Sequence, residues 1–400
     1  MFQSFVKILS IPKSIRLIAF GFVARSSMGM RALAVLLLVE HHTDSYLLAG
    51  STMGAMTAAQ AVVGPVLGRT VDVHGPTRVL LVTAGGHGIF GSALTIAVIN
   101  DSSTASLVSL AFFTGTTVAP IGAIVRGRWT SLLREEPEHL RTAYSMESSA
   151  DELIYIGGPI VAVGLAHIVS PMASFLVAVV VTVLGSALLC AAGVLVSHSS
   201  ERYEVRKPAA APFSLSLWRI PGFPMLLLSY AGLGLFLGAV DVSVVATAGP
   251  EAGVVLSVLG IASLCSALSL GSLPTRWNLH WARPASGLLI AVMCGGAFWA
   301  DSLVLLAGLM AMAGLAISPT LVLGADAMRS ISPSQQISEA FTWSSSTITA
   351  FLGLGSFASG WLTETIGAHW GFVVAVLGGL IATISGLRTL RRFNDEENES

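Results

Sequence analysis

Twelve apolar segments divide this 400-residue chain. Each is close to the roughly 20 residues that an α-helix needs to cross a bilayer. Only 11% of the residues are charged, whereas soluble domains have about 25%. The composition indicates a multi-pass, all-α membrane protein, and the net charge of −1 argues against a nucleic-acid partner. We number the segments as spans 1 to 12: 15–39, 46–67, 78–99, 105–125, 142–166, 172–196, 221–246, 252–272, 284–300, 302–325, 338–361 and 368–387.

The basic residues predict how the chain crosses the membrane. With the N-terminus in the cytoplasm, 19 of the 21 Lys and Arg residues fall on the cytoplasmic side. The other two, Arg25 and Arg31, lie inside span 1. This distribution follows the positive-inside rule and supports twelve spans with both termini cytoplasmic. We expect the protein to reside in the cell membrane.

The chain divides near its middle into two halves that resemble each other. Gly115 to Pro120 in span 4 matches Gly314 to Pro319 in span 10, 199 residues later, and Ala143 in span 5 matches Ala340 in span 11, 197 residues later. The near-constant offset predicts two parallel six-helix lobes. The expected units are a lobe at 1–197, a cytoplasmic linker at 198–220, a lobe at 221–390 and a disordered charged tail at 391–400.

Span 5 carries three acidic residues inside an apolar stretch. Glu147, Asp151 and Tyr155 are spaced four apart and share one helix face, while Glu152 points about 100° away from Asp151. An ionised group at bilayer depth costs at least about 2.5–3.5 kcal/mol on insertion scales, so these acids need water, protons or partners. They predict either a transport pathway or paired structural charges that hold helices together. The same helix contains the run Gly157-Gly158-Pro159, which predicts a bend.

The depth of Arg25 in the membrane suggests that it is a partner for these acids. Arg25 and Asp151 both lie about 14–15 Å from the cytoplasmic ends of their spans, counting 1.5 Å per residue. We therefore predict an Arg25–Asp151 ion pair, with Glu147 as the next partner. We expect the coupling proton on Asp151 or Glu147; Glu152 is the weaker candidate and is expected to be a structural partner for the second lobe. A carboxylate that alternates between water and an arginine can bind a proton in one state and release it in another.

The segment between spans 2 and 3 carries the most specific motif, running from Gly68 through Asp72 and Gly75 to Arg78. It resembles the cytoplasmic loop signature of the major facilitator superfamily, although Val73 stands where a basic residue is usual. The resemblance covers the whole chain. It implies that Asp72 is a conformational latch, which contacts the start of span 11 when the protein is open to the outside.

A second motif is only a partial match. Gly158-Pro159 resembles the core of the antiporter signature of family exporters, and the segment is similar to efflux-type members from high-GC Gram-positive (actinobacterial) bacteria. Span 4, at 105–125, lacks the arginine that drug–proton antiporters often carry there. Other cavity candidates are polar residues within spans: Arg31, Gln60, Asp241 and Trp343. We expect His87 in span 3 to be a hydrogen-bonded packing residue.

These features favour a secondary transporter that exports a small apolar or amphipathic molecule in exchange for protons by alternating access. An uptake symporter or uniporter for a nutrient such as a sugar is the alternative, followed by a non-transporting receptor or scaffold. The sequence has no Gly-x-x-x-x-Gly-Lys loop for ATP and no enzymatic or metal-ligand constellation. We expect no cofactor, and as partners a small-molecule substrate, protons and the lipid bilayer. We expect the protein to act as a monomer.

Overall fold

The computed structural model describes residues 8, 11, 13–133, 137–195, 217–272, 281–332 and 337–399. Within those ranges the regular elements are helices, without a strand. At some positions, including Asp72 and Glu152, only the backbone is described. Eight helical stretches there are long and apolar enough to cross a membrane, and two shorter apolar helices, Leu153–Ile168 and Ala282–Ala297, accompany them. The prediction of an all-α, multi-pass membrane protein is confirmed.

The twelve predicted spans correspond to twelve helical passes. In the described residues, nine passes are single helices, namely spans 2, 3, 5 to 9, 11 and 12: Tyr46–His74, Pro76–Ile99, Pro137–Ile168, Pro171–Ala191, Phe223–Ala248, Ala252–Ser272, Ala282–Ala297, Ile337–Thr365 and Gly371–Glu399. Spans 1, 4 and 10 each contain two helices: Ser14–Arg25 and Arg31–Thr43, Thr104–Thr116 and Ile121–Leu132, Leu303–Leu315 and Ile317–Ile331. A 3₁₀ turn, Ser26–Gly29, joins the two helices of span 1.

Several helices extend beyond the predicted spans. Span 12 continues to Glu399, through the charged tail that we expected to be disordered, because the sequence there has neither glycine nor proline to end a helix. Some basic residues that lie outside the predicted spans are part of helices: Arg69, Arg126, Arg128, Arg283, Arg329 and Arg388. Most of the predicted linker, 198–220, lies outside the described residues, which resume with a 3₁₀ turn at Leu217–Arg219.

The internal repeat is visible in the helix packing. A Cβ added to Gly115 in span 4 would lie 2.0 Å from the Met56 carbonyl oxygen in span 2. A Cβ added to Gly314, the repeat partner in span 10, would lie 2.2 Å from the Leu259 carbonyl oxygen in span 8. Both spans change helix just after this glycine. The two halves therefore use the same close backbone contact, which only glycine allows.

The two lobes meet in the half of the bundle away from the chain termini. We call the end that carries both termini the terminal face and the other end the far face. A Cβ on Gly50 in span 2 would lie 2.4 Å from the Ser356 carbonyl oxygen in span 11. Near the terminal face, by contrast, an added Cβ on Gly64 or Gly68 would meet nothing within 4 Å. Span 2 is thus packed against span 11 towards the far face and is open around these two glycines.

Two further contacts close the far side. Between spans 5 and 8, the Ser257 hydroxyl donates a hydrogen bond to the Ile156 carbonyl oxygen at 2.8 Å. At the outer end of span 2, the Leu47 amide donates to the Glu364 carboxylate of span 11 at 2.8 Å, and the Ser45 hydroxyl donates to the same oxygen. A carboxylate is favoured at a helix N-terminus because the orphan amides there carry partial positive charge. Glu364 therefore fastens one lobe to the other.

Candidate functional site

Arg25 lies at the point where span 1 is broken. It is the last residue of the helix Ser14–Arg25, and its side chain is 1% exposed. Its Nε donates to the Gly21 carbonyl oxygen at 3.1 Å, which orients the guanidinium away from its own helix. Nη1 then donates to Asp151 Oδ1 at 2.7 Å, and Nη2 donates to Glu147 Oε2. One arginine thus joins both acids on the shared face of span 5.

Span 4 supplies the remaining partners of the two acids. Arg126 Nη2 donates to Asp151 Oδ2 at 2.7 Å, and Trp129 Nε1 donates to Glu147 Oε1 at 2.8 Å. These donors are three residues apart on the helix Ile121–Leu132, so they lie on one face. We refer to Arg25, Arg126, Trp129, Glu147 and Asp151 as the charge cluster. Every carboxylate oxygen in it accepts one hydrogen bond from a side chain.

Solvent exposure differs across the charge cluster. Glu147 is 2% exposed and its partner Trp129 is fully buried, whereas Asp151 is 22% exposed and Arg126 is 40% exposed. Glu147 is therefore enclosed, while Asp151 lies where water can reach it. Breaking a buried ion pair by removing one partner typically costs about 3–5 kcal/mol, so the enclosed half of the cluster is the more structural half.

The structure contains the predicted pairing of Arg25 with Asp151 and adds Glu147 to it. Arg126 and Trp129 were not predicted as partners, because both follow the predicted end of span 4 at residue 125. The predicted end of span 4 was too early. The helix continues to Leu132 and contains Arg126 and Arg128, so this span does carry arginines. The three-residue spacing of a basic and an aromatic residue just beyond an apolar run was the available signal. The side chain of Glu152 lies outside the described part of the structure.

Of the two glycines before Pro159, Gly158 serves close packing. The helix Pro137–Ile168 is continuous through this proline, so the predicted bend does not interrupt it. A Cβ on Gly158 would lie 2.3 Å from the carbonyl carbon of Gly29, in the 3₁₀ turn of span 1, whereas one on Gly157 would meet nothing within 4 Å. On the other side, a Cβ on Gly253 of span 8 would lie 2.8 Å from the Pro159 carbonyl oxygen.

The motif between spans 2 and 3 is mostly helical. Gly68 and Asp72 lie in the last two turns of the helix Tyr46–His74, and Gly75 alone forms the turn, with φ of 85°. Such a positive φ favours glycine, as the sequence predicted. Arg78 is exposed in the first turn of span 3. The side chain of Asp72 lies outside the described residues, so its role as a latch stays a prediction.

The other cavity candidates are separate from the charge cluster. Arg31 is 5% exposed, and Gln60 and Asp241 are half-buried. Trp343 packs edge-to-face on Trp218 of the linker, with ring centroids 5.3 Å apart. This places Trp343 in an apolar cluster with Leu217, Phe223 and Met328.

The family follows from comparison with known proteins. The family model described as Major Facilitator Superfamily matches residues 17–250. The chain belongs to the major facilitator superfamily. This family consists of transporters, so the protein is a membrane transporter for a small molecule and not an enzyme. No curated protein matches the chain.

Solved transporter structures share the fold over almost their whole length. A crystal structure of the nucleoside transporter NupG has a TM-score of 0.71 at 14% identity, covering 95% of this chain and 98% of that one. A bacterial homologue of the iron transporter ferroportin in an inward-facing state has a TM-score of 0.73 at 15% identity, covering 94% and 98%. A structure of such a homologue in an outward-facing state scores 0.59 at 16% identity, covering 94% and 98%.

Proposed function

We propose that this protein exports a small amphipathic molecule in exchange for protons by alternating access. The observation that carries the proposal is the charge cluster, in which a partly hydrated carboxylate is held between two arginines inside an apolar bundle. Ionisable groups inside the membrane-spanning part of a transporter are costly and mark ion or substrate pathways.

Within the cluster, Asp151 carries the coupling proton. Its partial exposure gives a proton a route to water, whereas Glu147 is enclosed between Arg25 and Trp129. A proton on Asp151 would remove its charge and weaken its bonds to Arg25 and Arg126. Because these residues come from spans 5, 1 and 4, protonation would loosen three helices of one lobe together.

The conformation fits the state of this cycle that follows proton release. We assign the terminal face to the cytoplasm, because the sequence predicts 19 of the 21 basic residues on that side. With the far face closed by Glu364 and the glycine contacts of span 2, the protein is then inward-facing. The fully paired cluster corresponds to an ionised Asp151, as expected after proton release to the cytoplasm. Asp72 would hold the cytoplasmic side closed in the opposite state.

The choice of an amphipathic cargo over a sugar is supported by the small number of suitable aromatic and amide side chains in the inner spans. Sugar sites use aromatic platforms and several amides, but Trp343 packs on Trp218, and Gln60 is the main amide of the inner spans. The uptake alternative is distinguished by the direction of substrate movement. We further propose that the protein lies in the cell membrane as a monomer with both termini in the cytoplasm.

Purified protein in liposomes tests the proposal. A pH gradient is imposed, and proton movement is followed with a trapped pH-sensitive dye while apolar, amphipathic and sugar compounds are added in turn. Export by antiport predicts that an amphipathic compound moves against the proton flow and that reversing the gradient reverses both. Movement of a sugar with the protons would support the uptake alternative. Proton flow that no compound changes, relative to protein-free liposomes, would contradict both.

A further inference from the structure

Arg31 is a buried cation inside span 1. It begins the second helix of span 1, Arg31–Thr43, near the middle of the pass, and is 5% exposed. Among the residues that the structure describes, none forms a hydrogen bond or ion pair with its side chain. An uncompensated buried charge is strongly destabilising, so such a position is suited to bind an anion.

The break in span 1 turns Arg31 towards span 5. In an uninterrupted α-helix, Arg25 and Arg31 would point about 120° apart. The 3₁₀ turn Ser26–Gly29 adds about 20° at each of four residues, which brings the two arginines to within about 40° of each other. Arg31 therefore lies on nearly the same side as Arg25, about 11 Å further towards the far face.

On the shared face of span 5, the acids end at Asp151, one turn before Tyr155. Glu147 and Asp151 are both bonded to Arg25, and the next residue on their face is Tyr155. Tyr155 interacts electrostatically with Arg31 and is half exposed. In the described cluster, Arg25 and Arg126 balance Glu147 and Asp151. Neither acid of the charge cluster is therefore left to pair with Arg31.

A second buried group beside Arg31 is only partly hydrogen-bonded. His87 of span 3 is fully buried and interacts electrostatically with Arg31. Its Nδ1 contacts the Thr114 carbonyl oxygen and Thr117 Oγ1, both at 3.3 Å. Its Nε2 has no hydrogen-bond partner within the described ranges. The prediction that His87 is a satisfied packing residue is thus met at one ring nitrogen only.

We propose that Arg31 binds the anionic group of the transported molecule and that Tyr155 donates a second hydrogen bond to it. The cargo is an amphipathic organic monoanion, with a carboxylate or sulfonate head and an apolar tail. The planar guanidinium suits such heads because it donates two parallel hydrogen bonds to two oxygens. This inference rests on the proposed function only in that the bound molecule is the transported one.

Three probes with the same eight-carbon tail test the charge preference: octanoate, 1-octanol and octylammonium. Binding of radiolabelled octanoate to the purified full chain is measured in lipid nanodiscs without a pH gradient, with empty nanodiscs as blank. Saturable octanoate binding is expected, with competition by octane sulfonate and little by the neutral or cationic probe. Arg31→Gln should weaken octanoate binding at least tenfold, and Arg31→Lys should restore part of it.

Arg283→Gln is the matched control. Arg283 is 8% exposed in span 9, close to the terminal face, and its loss should leave octanoate binding unchanged. If wild-type protein binds the anions no better than octanol or octylammonium, or does not bind them, the proposal is overturned, and this comparison needs no variant. Wild-type-like octanoate binding by a folded Arg31→Gln protein would overturn it as well. Because no gradient is present, neither result depends on proton coupling or on the direction of transport.

Discussion

The two lobes share their packing but differ in their interior charge. Gly158 packs span 5 against span 1, and Gly355, 197 residues later, packs span 11 against span 7, where an added Cβ would lie 2.4 Å from the Leu235 carbonyl oxygen. At the same offset, the acids Glu147 and Asp151 correspond to Ser344 and Ile348. The Ser344 hydroxyl simply donates to the Ala340 carbonyl oxygen of its own helix, at 3.0 Å.

This difference separates what the fold requires from what function adds. The second lobe builds the same helix pair without any charge at these two positions, so the fold does not need the ion pairs. The first lobe keeps them despite their desolvation cost. The comparison favours a functional origin for the charge cluster over a purely structural one.

Removing Arg25 should have the largest effect. In Arg25→Met, Glu147 loses its charged partner in a site that is 2% exposed, and we expect a loss of about 3–5 kcal/mol of stability. The measurement is thermal unfolding of purified protein in detergent. The triple variant Arg25→Met, Glu147→Gln, Asp151→Asn, which removes the acids as well, should recover much of the loss. A single variant as stable as the wild type would show that the cluster is not a coupled unit.

The shared packing should respond equally in both lobes. Gly158→Ala places a Cβ 2.3 Å from the Gly29 carbonyl carbon, and Gly355→Ala meets a carbonyl oxygen at a similar distance. Each should cost about 1–3 kcal/mol, as overpacking does. Gly157→Ala is the matched control, since its Cβ would meet nothing within 4 Å. If the unfolding temperature falls for only one of these two variants, the contacts in the two lobes are not equivalent.

The sequence predicted the twelve spans, the repeat and the pairing of Arg25 with the acids of span 5. The spans follow from hydropathy, the repeat from the near-constant offset between the halves, and the ion pair from the depth of each residue in its span. All three can be read from the sequence. Arg126 and Trp129 were missed because the apolar run ends before them, although the helix continues until Leu132. The position of Arg31 beside Tyr155 could not be predicted either, since it depends on a 3₁₀ turn that rotates the side chain relative to Arg25.

A smaller effect should come from the contact between the lobes at the far face. Glu364→Gln keeps a hydrogen-bond acceptor at the start of span 2 but removes its negative charge, which is worth about 0.3–1 kcal/mol at a helix N-terminus. We expect a shift of about two- to fivefold towards the outward-facing state. Asp72→Asn should shift the equilibrium in the opposite direction. Distances between spin labels at the terminal ends of spans 2 and 11 report both shifts; equal shifts in one direction would contradict this assignment.

The central claim is that the first lobe binds the coupling proton on Asp151. The direct test compares Asp151→Asn, Glu147→Gln and Asp151→Glu in liposomes, using a compound that the wild type transports. Asp151→Asn should abolish the response to an imposed pH gradient while keeping substrate counterflow, and Asp151→Glu should restore part of that response. If Asp151→Asn protein still responds fully to the gradient, the proton does not reside there, and Asp241 of the second lobe becomes the residue to examine.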